Sequence, residues 1–304
     1  NKIQGLHQPQ PEGAPEVPDG FDVLAGEEQE ATGKQRREEA DLEDGELPAQ
    51  AFDNGVVARI ACIGDQGEQD TVRHVFFRES RVKVLALGAH PDDIEIFMFG
   101  TMAAYAALGA ELTFAIATDG AKGGKGDPAA LARARREEAT AAAGLLGVVP
   151  RFLDFPDGAL IADAALIGAL KALIGEVKPD LAITHAPNDY HGDHRALSDG
   201  VRIAASFAVP VLHADTLGGT GFSPTHYVDI SAHAGIKAEA IRAHHSQDPE
   251  RFVAGARTQN EFRAGQCHGA AGALAEAFRF EPGFPFAAIR ALLVETWHAT
   301  YDAI

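Results

Sequence analysis

The stretch ALGAHPDDIEIFMFG, residues 86–100, sets the problem. An apolar run gives way to a histidine, a proline and two adjacent aspartates, then resumes with large apolar residues. It continues RVKVLALG, residues 81–88, a short and mostly apolar segment of the kind that forms a strand buried on both faces of a parallel sheet. Asp92 and Asp93, side by side directly beyond such a strand, repel each other and lose hydration. A cation offsets both costs, and its other ligands must then come from elsewhere in the chain.

Working outward, FMFGTMAAYAALG (97–109) predicts a helix ending at Gly109, and ELTFAIATDG (111–120) a second strand. DPAALARARREEATAAAGLLG (127–147) predicts a long Ala-rich helix, with Asp127 as N-cap and Pro128 at its first position. RFLDF (151–155) is a third strand, DAALIGALKALIGEV (163–177) a helix, DLAITH (180–185) a fourth strand and HRALSDGVRIAASF (194–207) a helix. Strands alternating with helices imply an α/β fold: a Rossmann-like parallel sheet with helices on both faces. Three regions follow. Residues 1–50 are an acidic, low-hydrophobicity arm that cannot fold alone and is expected to pack on its own domain or a neighbouring subunit. Residues 51–80 read as a β-hairpin extension around QGEQ (66–69), and residues 81–304 as the main domain. The segments 209–235 and 248–270 read as loops that shape a pocket.

The 304 residues carry a formal net charge of −18, which argues against nucleic acid or an anionic membrane as partner. Two cysteines, Cys62 and Cys267, make no disulfide framework. No apolar run is long enough to span a bilayer and no signal-peptide layout is present, so a cytoplasmic location is expected.

In such a sheet the chemistry belongs at the carboxyl ends of the strands. His90, Asp92 and Asp93 follow the first strand, and Thr118, Asp119 and Gly120 the second. Asp157 lies beyond the third, and the fourth runs into THAPNDYHGDH (184–194), with His185, Asp189, His191, Asp193 and His194. Imidazoles with a carboxylate suit a borderline-soft divalent metal, and two histidines plus one acid leave positions for water and substrate. One acid of the Asp92–Asp93 pair can ligate while the other acts as general base. One imidazole of HGDH can ligate while the other polarises a carbonyl or donates a proton. TDGAKGGKGD (118–127) lacks the spacing of a phosphate-binding loop and reads as a lip of the cleft.

Several motifs then fall in order: AHPDD (89–93), TDG (118–120), Arg135-x-x-Glu138-Ala139 ending in LGV (146–148), PDG (156–158), HGDH (191–194) and AHHSQ (243–247). Over about residues 81–280 the set resembles the zinc-dependent N-acetylglucosaminyl deacetylase family, PIG-L or LmbE-like. The resemblance implies one Zn2+ per chain, or another divalent metal, on His90, Asp93 and His194. It implies Asp92 as the general base that activates a metal-associated water, and His191, held by Asp193, as oxyanion stabiliser or proton donor. Arg135 and Asp157 would contact the sugar, and His244 would stand near the pocket rim. The substrate class implied is a small N-acylated, and by the same resemblance N-acetylated, amino sugar or conjugate; a homo-oligomer is compatible with it. Two departures stand out. Phe97 and Phe99 replace glycines usual after the aspartate pair, and Gly192 replaces the proline of HPDH. On a helix, positions two apart point to different sides, so one phenylalanine is expected on the sheet and the other at the cleft. Two other readings share the ligand types: a non-haem iron oxygenase, disfavoured by the strand–helix alternation, and a scaffold protein with a vestigial site.

Overall fold

In the computed structural model the apolar run ahead of the aspartate pair is an inner strand of an eight-stranded sheet among the described residues. Those are residues 81–289 and 292–293, with the backbone of short strands at 51–52, 56–58, 76–78 and 296–297. The acidic arm, and its expected packing, lie outside the described residues. Strands β1 (Ala51–Phe52), β2 (Val56–Ala58) and β3 (Phe76–Arg78) form a small antiparallel sheet of their own. The segments read as hairpin partners meet there, with Val57 opposite Phe77.

The main sheet contains β4 (Lys83–Gly88), β5 (Glu111–Thr118), β6 (Arg151–Phe155), β7 (Leu181–Thr184), β8 (Val211–Ala214), β9 (His226–Asp229), β10 (Ala275–Phe280) and β11 (Thr296–Trp297). Their order is β11-β9-β10-β8-β7-β4-β5-β6. Strands β8, β7, β4, β5 and β6 are mutually parallel. From β4 the chain winds first through β5 and β6, then returns to β7 on the other side. The carboxyl end of β4 is therefore a topological switch point, where a crevice opens.

Side-chain alternation on β4 explains the layers. Val84 and Ala86 point into one core with Phe99, Met102, Phe114 and Ile116. Leu85 and Leu87 point into the other with Leu166, Leu170, Leu197 and Val201. The first core carries helices α1 (Asp93–Phe97), α2 (Phe99–Ala107), α3 (Pro128–Gly144) and α6 (Ala234–Arg242); the second carries α4 (Ala164–Val177) and α5 (Gly192–Ala205). Each fully buried Leu or Phe contributes about 1.5–3 kcal/mol of transfer free energy. Asp127 caps α3 as expected, accepting from the Ala129 and Ala130 N–H groups.

The structure differs from the sequence reading in three places. The first helix breaks at Met98 (φ −144°, ψ 4°), separating α1 from α2. The parallel pattern stops at β8, because β10 enters between β8 and β9 and pairs antiparallel with both. Residues 209–235 and 248–270, both read as loops, contain the strands β8 and β9 and the helix α7 (Pro249–Gln266) respectively. Its buried residues are Ala256, Asn260, Arg263 and Ala264, two of them polar, so no apolar stripe announces it. The antiparallel wing is tied to the core through a buried charge on β10. Glu276 accepts from Lys237 Nζ at 2.6 Å and from the N–H groups of Gly100 (2.9 Å) and Thr101 (2.7 Å) at the start of α2.

Candidate metal centre

The turn leaving β4 is strained where the chemistry lies. Asp92 has φ 140°, a region that non-glycine residues rarely enter, at a cost of about 1–3 kcal/mol. Arg135, buried on α3, holds it there. Its Nη2 donates to the Pro91 carbonyl at 2.8 Å and lies 3.1 Å from Asp92 Oδ1, while Nη1 donates to the Gly120 carbonyl at 3.0 Å. Gly120, at φ 67°, allows this approach: a Cβ there would lie 2.8 Å from Pro91 Cδ and 2.9 Å from Arg135 Nη1. One turn further on, Glu138 accepts from the Ser246 N–H (2.8 Å) and Oγ (2.7 Å). Arg135 and Glu138 thus brace two loops from one helix.

Three donors meet beside Asp92. His90 Nδ1 lies 3.3 Å from Asp93 Oδ2 and 3.3 Å from His194 Nε2, and His194 Nε2 lies 3.4 Å from Asp93 Oδ1. A tetrahedral zinc with bonds of about 2.0–2.1 Å has ligand–ligand edges of about 3.3 Å, so the set fits such an ion. Among the described residues three donor groups lie within 4.8 Å: His90/His191/His194, Asp93/His185/His194 and His90/Asp157/Asp193. His90 and His194 each belong to two of them and Asp93 to one.

The electrostatics also call for a cation. Burial opposes charge on His90, but Asp93, Asp157 and Asp193 outweigh it and push its pKa up to about 12. His194 is likewise pushed up to about 9, Asp93 and Asp189 overcoming burial. Burial would raise Asp93, yet His194, His185 and His90 hold it well below the usual carboxylate range. Protons on the imidazoles supply the positive charge that a divalent ion brings. Asp92 is different: burial dominates over Arg135 and pushes it up to about 6.

His191 caps α5. Its Nδ1 accepts from the Asp193 backbone N–H at 3.2 Å, so a neutral ring carries its proton on Nε2. Burial, then the charges of His90 and His194, lower its pKa and keep it neutral. The carboxylate of Asp193, expected to hold His191, instead lies 3.2 Å from His90 Nε2 and accepts from the Gly158 (2.6 Å) and Leu160 (3.1 Å) N–H groups. Early in α5, Asp193 offers its N–H to the cap while its side chain reaches the neighbouring turn.

Other expectations are adjusted. Asp157 lines the cleft, but its Oδ1 lies 3.4 Å from His90 Nε2 and its Oδ2 accepts from the Lys122 N–H at 2.8 Å. His244 is not at the rim: it is 1% exposed and packs 3.4 Å from Glu95 Oε2. Glu138 holds the 244–247 turn through the exposed Ser246. His185, given no role from the sequence, is fully buried and stacks on His194 at 3.7 Å and 14°. Its Nε2 accepts from the Ala89 N–H at 3.0 Å and lies 3.1 Å from Asp93 Oδ2. Burial, with the charge on His194, pushes its pKa down to about 4, so it is neutral. Its place at the end of β7, beside β4, was the available signal.

The centre opens into a cavity of about 640 Å³. Ile96, Phe97, Leu217 and Phe252 give it an apolar side, and Lys122, Asp157, Tyr190 and His191 a polar one. Phe97 stands edge-on to His185 (5.6 Å) and His194 (5.9 Å), whereas Phe99 is in the core against Phe114 (6.2 Å). Gln259 on α7 fixes the 216–218 loop, accepting from the Gly218 N–H (2.9 Å) and donating to the Thr216 carbonyl (2.8 Å). No helix among the described residues is long and apolar enough to cross a membrane.

Comparison with known proteins places these features in context. A family model described as PIG-L, GlcNAc-PI de-N-acetylase, matches residues 85–205. A diacetylchitobiose deacetylase of Thermococcus kodakarensis is 30% identical over 189 residues, 55% of this chain and 71% of that protein. The structure of an N,N'-diacetylchitobiose deacetylase from Pyrococcus horikoshii is similar with TM-score 0.60 and 26% identity, over 66% of this chain and 84% of that one. A 4-carboxy-2-hydroxymuconate hydratase from Pseudomonas putida is similar with TM-score 0.57 and 23% identity, over 65% of this chain and 95% of that one. That last likeness concerns the fold alone, and one fold hosts several reactions.

Proposed function

Because this chain belongs to the PIG-L, GlcNAc-PI de-N-acetylase family, we propose that it removes the N-acetyl group from an amino sugar or sugar conjugate, using a divalent metal on His90, Asp93 and His194. The chain is a deacetylase, an enzyme of amide hydrolysis. The observation that carries the finer reading is the meeting of those three donors, 3.3–3.4 Å apart, at the carboxyl end of β4 beside Asp92. Two imidazoles and one carboxylate with open positions are a donor set of catalytic zinc sites in hydrolases. Such an ion supplies a Lewis acid for the amide carbonyl and for water.

The protein's own groups do the rest. Asp92, raised by burial to about 6, is near the optimum for a general base at neutral pH and takes the proton from the attacking water. Arg135 orients that carboxylate and leaves little of its guanidinium for the sugar. His191, neutral and protonated on Nε2, donates toward the carbonyl oxygen as negative charge develops there. Asp92, then protonated, returns the proton to the departing amine. Asp157, Lys122 and Tyr190 form the wall suited to sugar hydroxyls. The net charge of −18 fits a small substrate better than a polyanionic one.

The test is a panel of N-acetylglucosamine, N,N'-diacetylchitobiose and a nucleotide N-acetylhexosamine, assayed for free amine with and without chelator. Release from at least one substrate, abolished by chelation, is expected. No release from metal-loaded protein, or release that chelation does not touch, overturns the reading.

A further inference from the structure

The imidazole of His90 is held at both nitrogens. Nδ1 faces Asp93 and His194, each at 3.3 Å, on the side of the proposed metal. Nε2 faces the other way, 3.2 Å from Asp193 Oδ2 and 3.4 Å from Asp157 Oδ1. Asp193 is itself fixed, since the N–H groups of Gly158 and Leu160 donate to its two oxygens at 2.6 and 3.1 Å. Asp157 is fixed by the Lys122 N–H at 2.8 Å. His194 repeats the arrangement with its nitrogens exchanged: Nε2 faces inward and Nδ1 lies 3.1 Å from Asp189 Oδ2.

A neutral imidazole has one N–H and one lone pair. A carboxylate that accepts from Nε2–H leaves the lone pair on Nδ1 and fixes the ring's orientation. The link between Asp193 and His191, by contrast, runs through the Asp193 backbone N–H, which any residue at that position but proline supplies.

We infer that Asp193, seconded by Asp157, is a positioning residue for His90: it sets which nitrogen of that ring faces the metal, and it does not act through His191. The support passes through the 157–160 turn, which borders the cleft, so the metal ligand and one wall of the pocket are braced by the same carboxylates. The inference rests on the metal assignment proposed above.

The test is zinc affinity of the full chain, measured by chelator competition, for wild type, D193N, H191A and the double variant, with melting curves alongside. D193N is expected to bind zinc about 10–100-fold more weakly. H191A is expected to bind like wild type, and the D193N loss to persist in the H191A background. If D193N binds zinc like wild type and its loss of turnover vanishes in H191A, Asp193 acts through His191 and the inference is overturned. Should D193N not fold, D157N serves, because it leaves the Asp193 contacts in place. A smaller loss of zinc affinity is expected there, and an unchanged affinity overturns the inference. A wild-type chain that does not bind zinc sinks the metal assignment itself, whereas zinc-binding wild type with unaffected D193N and D157N sinks only the role given to these carboxylates.

Discussion

Arg135 Nη2 lies 3.1 Å from Asp92 Oδ1 and 2.8 Å from the Pro91 carbonyl oxygen, so one buried guanidinium fixes both the side chain and the backbone of the strained residue. Asp92 already stands above the usual carboxylate range, and Arg135 lowers it. Removing Arg135 therefore raises Asp92 further. The base works only when deprotonated, so R135A is expected to move the acidic limb of kcat/KM to higher pH. It should also cost stability, since the Pro91 and Gly120 carbonyls lose their buried donor. R135K should recover little, because a single ammonium cannot reach the same fork of acceptors. A pH–rate profile that stays in place would contradict this.

Asp92→Asn separates the base from the ligands. Metal content is expected to remain, while kcat falls by about 10²–10⁴-fold. Metal analysis of the purified variant decides between the two roles, because loss of the ion along with activity would make Asp92 a ligand.

His191 is given a part in turnover but none in holding the ion. His191→Ala should keep the metal and lower kcat by about 10²–10³-fold, the range seen when one donor to a developing oxyanion is removed. A drop in bound zinc to match the drop in rate would instead place His191 among the ligands.

The two phenylalanines should behave differently. Phe99 is fully buried against Phe114, and Phe99→Ala is expected to cost about 3–5 kcal/mol without altering acyl preference. Phe97 lines the cleft, so Phe97→Ala should change the ratio of kcat/KM between acetyl and longer acyl substrates. An unchanged ratio would reduce Phe97 to packing behind His185 and His194.

The parallel half of the fold is readable because strands such as β4 are apolar on both faces and helices α3 and α4 start at the aspartate caps Asp127 and Asp163. The donors are readable for a related reason: at a switch point, residues directly after neighbouring strands converge whatever their separation along the chain. What escapes notice depends on tertiary pairing. Helix α7 buries Asn260 and Arg263, the latter with Nε 2.6 Å from Asp215 Oδ2, so its inner face looks like a solvated one. Strand β10 hides its place in the core behind Glu276, whose charge is matched by Lys237 from α6. The direction of the Asp193 carboxylate and the clamp of Arg135 on Asp92 are equally unreadable. Sequence order puts Asp193 beside His191, and only the turn at 157–160 turns it toward His90.

The central claim is a metal-dependent deacetylase centred on His90, Asp93 and His194, and its most direct test is a zinc titration of chelator-stripped protein while amine release from an N-acetylated sugar is followed. Activity is expected to be absent at the start and to rise linearly to a plateau at one zinc per chain, with H194A remaining inactive throughout. Stripped protein that turns over at the full rate, or H194A restored by the same single equivalent, would contradict the account.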